Sequence, residues 1–312
     1  VCIAMPSTEN KNAGSTARRF PRSSLGTSAG TLIIRLYREK PLGFIGAVIV
    51  LIMVIMAAFA PWIAPYPYDE PHFSNSLEGS SSSFIMGTDF LGRDLFSRLV
   101  YGARVSITVA VGSVLLGSLL SGILGITSGY IGGRYDTIMQ RAVDAWMSVP
   151  PLLFLLFIMS ILGPSALNVT IVLGLVAIRE SRVLRGSVLS IKENAFIEAA
   201  RINAASTVRI LWQHVLPNVM VPIIILASLR LGQVILIEAS LSFLGYGVPA
   251  PFPSWGRMLS SESRSYMESA PWLAIWPGVF LSLTVFGWNV LGDALRDLLD
   301  PRMRGTGGGY RS

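Results

Sequence analysis

The feature that most limits the fold of this chain is a set of long apolar stretches without charged side chains. Residues 42–64, 105–128 and 145–178 contain no Asp, Glu, Lys or Arg. A helix of about 20 such residues is long enough to cross the hydrocarbon core of a bilayer. We therefore predict an all-α, polytopic membrane protein.

The composition agrees with this prediction. Of 312 residues, 52% are hydrophobic and 14% are charged, and the mean hydropathy is +0.57. A soluble domain carries about 25% charged residues. The formal charge of +7 does not indicate nucleic-acid binding, because no basic stripe with interleaved aromatic residues is present. The single cysteine, Cys2, excludes an internal disulfide and a metal site built from cysteines.

The hydropathy pattern predicts about six membrane spans. The stretch 145–178 is too long for one crossing, and Gly163-Pro164-Ser165 divides it into two. Pro150 and Pro151 predict a kink in the first of these two spans. The predicted spans are residues 42–64, 105–128, 139–162, 167–185, 218–238 and 271–292.

The spans divide the chain into five regions. We predict a disordered cytoplasmic tail, a first transmembrane helix, an extracytoplasmic loop, a core with five transmembrane helices, and a cytoplasmic tail. Their bounds are residues 1–40, 41–64, 65–104, 105–297 and 298–312. Most of the 25 Lys and Arg residues lie in segments that are cytoplasmic if the N-terminus is cytoplasmic. By the positive-inside rule, both termini are predicted on the cytoplasmic side of the cell membrane.

Small residues recur every four positions in the second predicted span. Ser113, Gly117, Ser121 and Gly125 lie along one helix face. Such a face lets two helices approach closely within a bilayer. The neighbouring helix could belong to this chain or to another subunit.

Catalytic motifs are missing from the chain. The two histidines, His72 and His214, are far apart, and no H-E-x-x-H, G-x-S-x-G or G-x-x-x-x-G-K-[ST] sequence occurs. The spans also contain no cluster of His, Cys and Met ligands, so no metal site is predicted. The chain is predicted not to be an enzyme, and the energy for active transport would come from a partner or an ion gradient.

A cytoplasmic loop, residues 187–217, is predicted to form two short helices. Asn194 and Ser206 are suitable N-cap residues, and Pro217 is expected to end the second helix. That helix carries one apolar face, made of Val208, Leu211, Trp212 and Val215. A partner protein or the membrane helices of this chain must cover the face.

Four segments resemble one protein family. Glu198-Ala199-Ala200, followed by Leu216-Pro217, resembles the EAA loop of binding-protein-dependent ABC importer permeases. Three further segments are similar to the C-type permease of dipeptide, oligopeptide, glutathione and nickel importers. They are residues 87–98, residues 238–247 with 253–259, and residues 289–302.

The resemblance implies a type I ABC importer permease fold and a set of partners. A second, homologous permease would complete the pore, and two ATPase subunits would bind below it. These subunits would bind ATP and Mg²⁺, so no cofactor is expected in this chain. An extracytoplasmic binding protein would deliver the solute, which we expect to be a short peptide. The alternatives are nickel or glutathione import, or an ATP-independent secondary transporter.

In that family the EAA loop sits in a groove of the ATPase, so the resemblance assigns this role to six residues of the loop. They are Glu198, Ala199, Ala200, Arg201, Asn203 and Ala204. The family usually has Gly at the position of Ala204, where the backbone needs φ > 0. Asn tolerates this geometry better than Ala. We therefore expect Asn203 to adopt the left-handed conformation and the turn to shift by one residue.

Arg230 is the one charge deep inside a predicted span. Such a charge faces a partner or a water-filled cavity. Arg230 is thus a candidate residue of the translocation path, together with Glu238, or the two form a structural ion pair.

Charged residues ahead of the second span suggest another local structure. Asp89 with Arg93, and Asp94 with Arg98, are spaced as i, i+4 ion pairs. They predict a short helix at the outer surface.

Overall fold

The structure, a computed structural model, describes residues 29–260, 264–266 and 268–299. Over these residues the chain is helical and forms no β-strand beyond one isolated bridge between Thr88 and Asp94. The α-helices are α1 (Ala29–Glu39), α2 (Pro41–Ala58), α3 (Ala60–Ile63), α4 (Leu95–Ile131), α5 (Gly133–Met147), α6 (Pro151–Leu162), α7 (Ala166–Val176), α8 (Ser181–Lys192), α9 (Ala195–Ile202), α10 (Thr207–Ile210), α11 (Leu216–Phe243), α12 (Trp255–Met258) and α13 (Trp272–Leu299). Short 3₁₀ turns occupy Phe73–Asn75 and Ala177–Glu180, and a π-helical turn occupies Leu211–Val215.

The prediction of an all-α polytopic protein is confirmed. Four helical stretches are each long and apolar enough to cross a membrane, namely Pro41–Ala58, Leu95–Ile131, Thr207–Phe243 and Trp272–Leu299. The pair α5 and α6 makes a fifth candidate, bent by 83° at the break between them. This break contains Pro150 and precedes Pro151, so the predicted kink is present. The fourth predicted span, 167–185, falls on the run formed by α7, the 3₁₀ turn and α8.

Helix α4 lies at the centre of the fold, and α7 and α8 pack along it in the same direction. A Cβ atom at Gly125 would lie 2.6 Å from the carbonyl oxygen of Ser181, and one at Gly129 would lie 2.9 Å from Cβ of Val188. The backbones therefore approach as closely as glycine allows. The small-residue face of the second span packs within this chain.

Helices α2, α13 and α11 form the other half of the molecule. A Cβ atom at Gly46 of α2 would lie 2.8 Å from the carbonyl oxygen of Gly287 in α13. A Cβ atom at Gly232 of α11 would lie 2.6 Å from Oδ1 of Asn289 in α13. Helix α13 thus lies between α2 and α11, and α11 also packs on α4.

Part of the predicted disordered tail is ordered. Residues 29–39 form α1, whose Leu36 is buried against Ala294 and Leu298 near the end of α13. The Lys40 ammonium contacts Oδ2 of Asp297 at 2.5 Å. The prediction of disorder is therefore wrong for α1, because a partner from the far end of the chain covers its apolar side. The remaining predicted tail residues, 1–28 and 300–312, lie outside the described part.

The second span begins earlier than predicted, and the expected short surface helix is absent. Helix α4 starts at Leu95, and Asp94 is its N-cap: Oδ2 accepts hydrogen bonds from the Ser97 N–H (2.8 Å) and the Ser97 hydroxyl (2.6 Å). The predicted Asp94–Arg98 pair is therefore wrong, since the carboxylate is used as a cap. Nε of Arg98 lies 3.4 Å from Oδ2 of Asp89 instead. The Asp89–Arg93 pair is confirmed, with Nε 2.7 Å from Oδ2.

Pro217 does not end a helix, contrary to the prediction. The helical stretch runs without a break from Thr207 to Phe243, with Pro217 in the first turn of α11. The π-helical turn Leu211–Val215 comes immediately before it. A π turn shifts the hydrogen-bond pattern by one residue, so the helix continues although Pro217 has no N–H to donate.

Candidate functional site

Helix α9 carries the EAA sequence and packs one face onto the chain's own helices. Ile197 is 0% exposed and Ala200 is also buried. They join an apolar cluster formed by α4, α8 and the start of the fifth span, comprising Ile126, Tyr130, Val188, Ile210, Val215 and Val219. This side of α9 is therefore an anchor.

The opposite face of α9 is exposed. Glu198, Ala199 and Asn203 all lie on the surface. The Glu198 carboxylate has no hydrogen bond or ion pair with any described residue. This face is free to meet a partner.

Two basic side chains, one from α9 and one from the end of α8, contact Tyr130 at the end of α4. The guanidinium carbon of Arg201 lies 5.3 Å from the centre of the Tyr130 ring, and the Lys192 ammonium lies 5.6 Å from it. Lys192 also donates a hydrogen bond of 2.6 Å to the Tyr130 carbonyl oxygen. Both cations lie within the range of a cation–π interaction. Arg201 therefore has a partner within this chain, the Tyr130 ring.

The turn after α9 uses Ala204, not Asn203, as its left-handed residue. Ala204 has φ = 52°, whereas Asn203 has φ = −76°. The Ala204 N–H donates to the Arg201 carbonyl (2.9 Å), and the Ala205 N–H donates to the Ala200 carbonyl (3.1 Å). These two bonds define a Schellman motif, in which the left-handed position follows the C-cap. The expected shift to Asn203 is wrong because the hydrogen bonds place the turn where the family has Gly.

The predicted apolar face of the second short helix is partly buried and partly exposed. Val215 is 0% exposed, whereas Val208 is 64% and Trp212 is 67% exposed. Ser206 caps the helix as predicted, accepting from the Arg209 N–H at 3.4 Å. The Asn194 side chain instead donates back to the carbonyls of α8, so it does not cap α9.

Several large side chains remain exposed along this segment. We call them the coupling surface, which consists of Phe196, Glu198, Ile202, Val208 and Trp212. Ile202, at 78% exposed, is more accessible than any of the other three apolar members. The sequence left open whether the apolar side chains are covered by the membrane helices of this chain or by a partner protein. In the structure, this chain covers only some of them.

A second group of charges lies inside the membrane helices. Arg230 of α11 is 4% exposed, and its Nη1 forms an ion pair with Oε1 of Glu180 in the 3₁₀ turn. Nη2 also lies 3.4 Å from the Leu173 carbonyl oxygen. The prediction of an Arg230–Glu238 pair is therefore wrong.

Glu238 faces α4 and its own helix. Its carboxylate is fully buried and accepts hydrogen bonds from the hydroxyls of Ser106 (2.9 Å) and Ser242 (2.8 Å). These hydroxyls take the place of an arginine partner. Glu238 and Arg230 are two helical turns apart, and each finds a nearer partner on a neighbouring helix.

Sequence reasoning missed Glu180 and its neighbour Arg179. Both lie within the predicted span 167–185, yet only Arg230 was considered as a charge deep inside a span. The helical run continues through α8 to Lys192, so both residues lie midway along it. The signal for their depth is the uncharged stretch 105–133 of α4, against which this helical run packs.

The described part of the chain contains no group of three or more His, Cys, Asp or Glu residues that could hold a metal ion.

Comparison with known proteins places the chain in a family. Residues 121–305 match the family described as the binding-protein-dependent transport system inner membrane component. The chain belongs to this family. Residues 28–79 also match the N-terminal transmembrane domain of oligopeptide transport permease C. The first matched range includes α9, Glu180 and Arg230 of this permease-family chain.

Individual relatives agree with the C-type resemblance. The dipeptide transport system permease protein DppC of Alkalihalophilus pseudofirmus is 40% identical, covering 86% of this chain and 88% of the relative. The oligopeptide transport system permease protein OppC of Bacillus subtilis is 37% identical, over 94% and 95%. The glutathione transport system permease protein GsiD of Escherichia coli is 37% identical, over 87% and 90%. The resemblance to C-type permeases is confirmed.

Proposed function

We propose that this chain is the C-type permease of an ABC importer and forms half of the translocation pore for short peptides. A homologous permease supplies the other half, and an extracytoplasmic binding protein delivers the peptide. Two separate ATPase subunits bind ATP and Mg²⁺, so this chain is not itself catalytic. The complex resides in the cytoplasmic (inner) membrane, with both termini of the chain in the cytoplasm.

The observation that carries the peptide assignment is the similarity to named peptide permeases over nearly the whole chain. The dipeptide and oligopeptide relatives cover 86% and 94% of its residues. Such coverage includes the membrane helices that would line a pore as well as the cytoplasmic segment. A glutathione permease at 37% identity supports glutathione as a second candidate solute.

The coupling surface supports docking of an ATPase. Helix α9 is held to the membrane helices by Ile197 and Ala200, yet it presents Glu198 and Ile202 outward. An element that is anchored on one side and exposed on the other can transmit a push from a partner to the spans. Closure of the ATPase pair around ATP would move α9 and alternate access by rigid-body motion.

The two residues predicted for the translocation path take supporting roles in this proposal. Arg230 is buried and holds Glu180, and Glu238 is buried and held by two hydroxyls. We propose that Arg230 belongs to the path by fixing Glu180 there, and that Glu238 joins α11 to α4.

The solute can be tested on the purified complex. The chain is co-expressed with the second permease, the ATPases and the binding protein encoded beside it. ATPase stimulation is then measured with dipeptides, oligopeptides, glutathione and Ni²⁺, each presented with the binding protein. Stimulation by peptides is expected. Stimulation by Ni²⁺ or glutathione alone, with none by peptides, would replace the peptide assignment.

The docking role can be tested by charge insertion at an exposed apolar position. Ile202→Asp should reduce the amount of ATPase that co-purifies with the permease several-fold, because a charge would be buried at the interface. Ile85→Asp is the matched control, since Ile85 is also exposed, at 60%, but lies in the loop before α4. Equal ATPase recovery from the two variants would contradict docking on the coupling surface.

A further inference from the structure

Arg179 and Glu180 lie near the middle of the membrane, as their packing against α4 shows. Gly117 of α4 packs on Ala177, just before them, and Gly125 packs on Ser181, just after them. Both glycines belong to the stretch 105–133, which contains no charged residue. The two charged side chains are therefore level with the central part of an uncharged span.

The charges in this region do not balance. Glu180 pairs with Arg230, which crosses from α11. Arg179 is close enough to Arg230 to act on it electrostatically, yet it has no ion pair within residues 29–260, 264–266 and 268–299. Two guanidinium groups and one carboxylate leave a net charge of +1.

The exposure of the three side chains differs. Arg230 is 4% exposed, whereas Arg179 and Glu180 are partly exposed. A guanidinium directed at lipid near the bilayer centre costs several kcal/mol, so an arginine at this depth faces water or an anion. The open side of Arg179 therefore belongs to the aqueous path and not to the lipid boundary.

We propose that Arg179 binds a carboxylate of the transported solute midway through the translocation path, with the Glu180–Arg230 pair as its fixed support. This inference rests on the proposed function, since a short peptide carries a C-terminal carboxylate. Arginine binds carboxylates through two parallel hydrogen bonds. Glu180 is neutralised by Arg230, so the charge of Arg179 remains available to the solute.

The test compares a peptide acid with its C-terminal amide in proteoliposomes holding the complete transporter. The binding protein is saturated with either peptide, so that its own preference does not enter. In Arg179→Gln, uptake of the acid should fall about tenfold or more, the expected loss for one charged hydrogen-bonded contact. Uptake of the amide should stay within about twofold of the unchanged transporter.

Two further variants complete the design. Arg179→Lys keeps the charge and should retain assembly and part of the preference for the acid. Arg182→Gln is the matched control, because Arg182 lies on the adjoining α8 and pairs with Asp144 of α5. It should change acid and amide uptake by the same factor.

Three outcomes would count against the inference. If Arg179→Gln lowers acid and amide uptake equally, Arg179 does not bind the carboxylate. If it prevents assembly while Arg179→Lys does not, Arg179 pairs with a carboxylate of the second permease, and the inference is overturned. If the unchanged transporter moves no peptide of either kind, the proposed function fails first, and this inference fails with it.

Discussion

Ala204 occupies a backbone conformation that disfavours side chains. Its φ of 52° is left-handed, and two hydrogen bonds of the Schellman motif hold it there. The left-handed conformation costs a residue with a Cβ atom about 1 kcal/mol or more. The turn after α9 is therefore strained at one residue, while the hydrogen bonds around it are intact.

The first prediction concerns this strain. Ala204→Gly should slow amide exchange of Ala205 about fivefold, because removing the Cβ stabilises the closed turn by about 1 kcal/mol. Asn203→Gly, one residue earlier, should give no such protection, since φ of Asn203 is already negative. Slower exchange in Asn203→Gly and not in Ala204→Gly would show that the turn is shifted.

The Asp89 carboxylate is contacted by two backbone N–H groups and two guanidinium groups at the start of α4. Oδ1 accepts from the N–H groups of Leu91 (2.9 Å) and Arg93 (3.0 Å), and Oδ2 faces the guanidinium groups of Arg93 and Arg98. All three charged side chains are nearly buried. The segment that resembles C-type permeases at 87–98 is thus a structural clamp at the start of α4.

The second prediction follows from this burial. Asp89→Asn should destabilise the chain by about 3 kcal/mol, because the buried Arg93 and Arg98 guanidinium groups lose the negative charge of the carboxylate beside them. The midpoint of thermal unfolding in detergent measures the change. Asp297→Asn breaks the exposed Lys40 pair and should cost less than about 1 kcal/mol. Similar midpoints for the two variants would mean that Asp89 contributes no more to stability than an exposed ion pair does.

At the scale of helices, the sequence predicted the elements that a bilayer demands and missed those that depend on distant partners. The apolar spans were visible because each needs about 20 uncharged residues. The start of α4 was missed because Asp94, read as a surface charge, acts as its N-cap. The Glu180–Arg230 pair was missed because it requires knowing that α11 lies against the 3₁₀ turn. The continuation through Pro217 depends on a π turn, which has no simple sequence signal.

The third prediction tests the closeness of α4 and α8. Gly125→Ala should destabilise the fold by about 1–3 kcal/mol, because its Cβ would lie 2.6 Å from the Ser181 carbonyl oxygen and 2.8 Å from Cβ of Leu184. Gly186→Ala on α8 meets no described atom within 4 Å and should be neutral or stabilising. The two unfolding midpoints provide the comparison. An unchanged midpoint for Gly125→Ala would show that α4 and α8 are further apart.

At the scale of the whole molecule, the proposed orientation places the loop before α4 outside and α9 inside. Cys2 is the one cysteine of the chain, so Cys2→Ser gives a background for single-cysteine labelling. Ser82 and Glu193 are both exposed, on opposite sides of the spans. An impermeant maleimide added to spheroplasts should label Ser82→Cys and reach Glu193→Cys only after permeabilisation. The reverse pattern would invert the topology.

The unbroken helical stretch from Thr207 to Phe243 has a mechanical consequence. Its 37 residues form a rod about 55 Å long. The first turns of the rod contribute Val208 and Trp212 to the coupling surface, and Arg230 lies further along it, where it pairs with Glu180. A tilt of about 10° about one end displaces the other by about 10 Å. A movement of the coupling surface would therefore reach the far end of the rod, and the π turn Leu211–Val215 lies near the end where that movement starts.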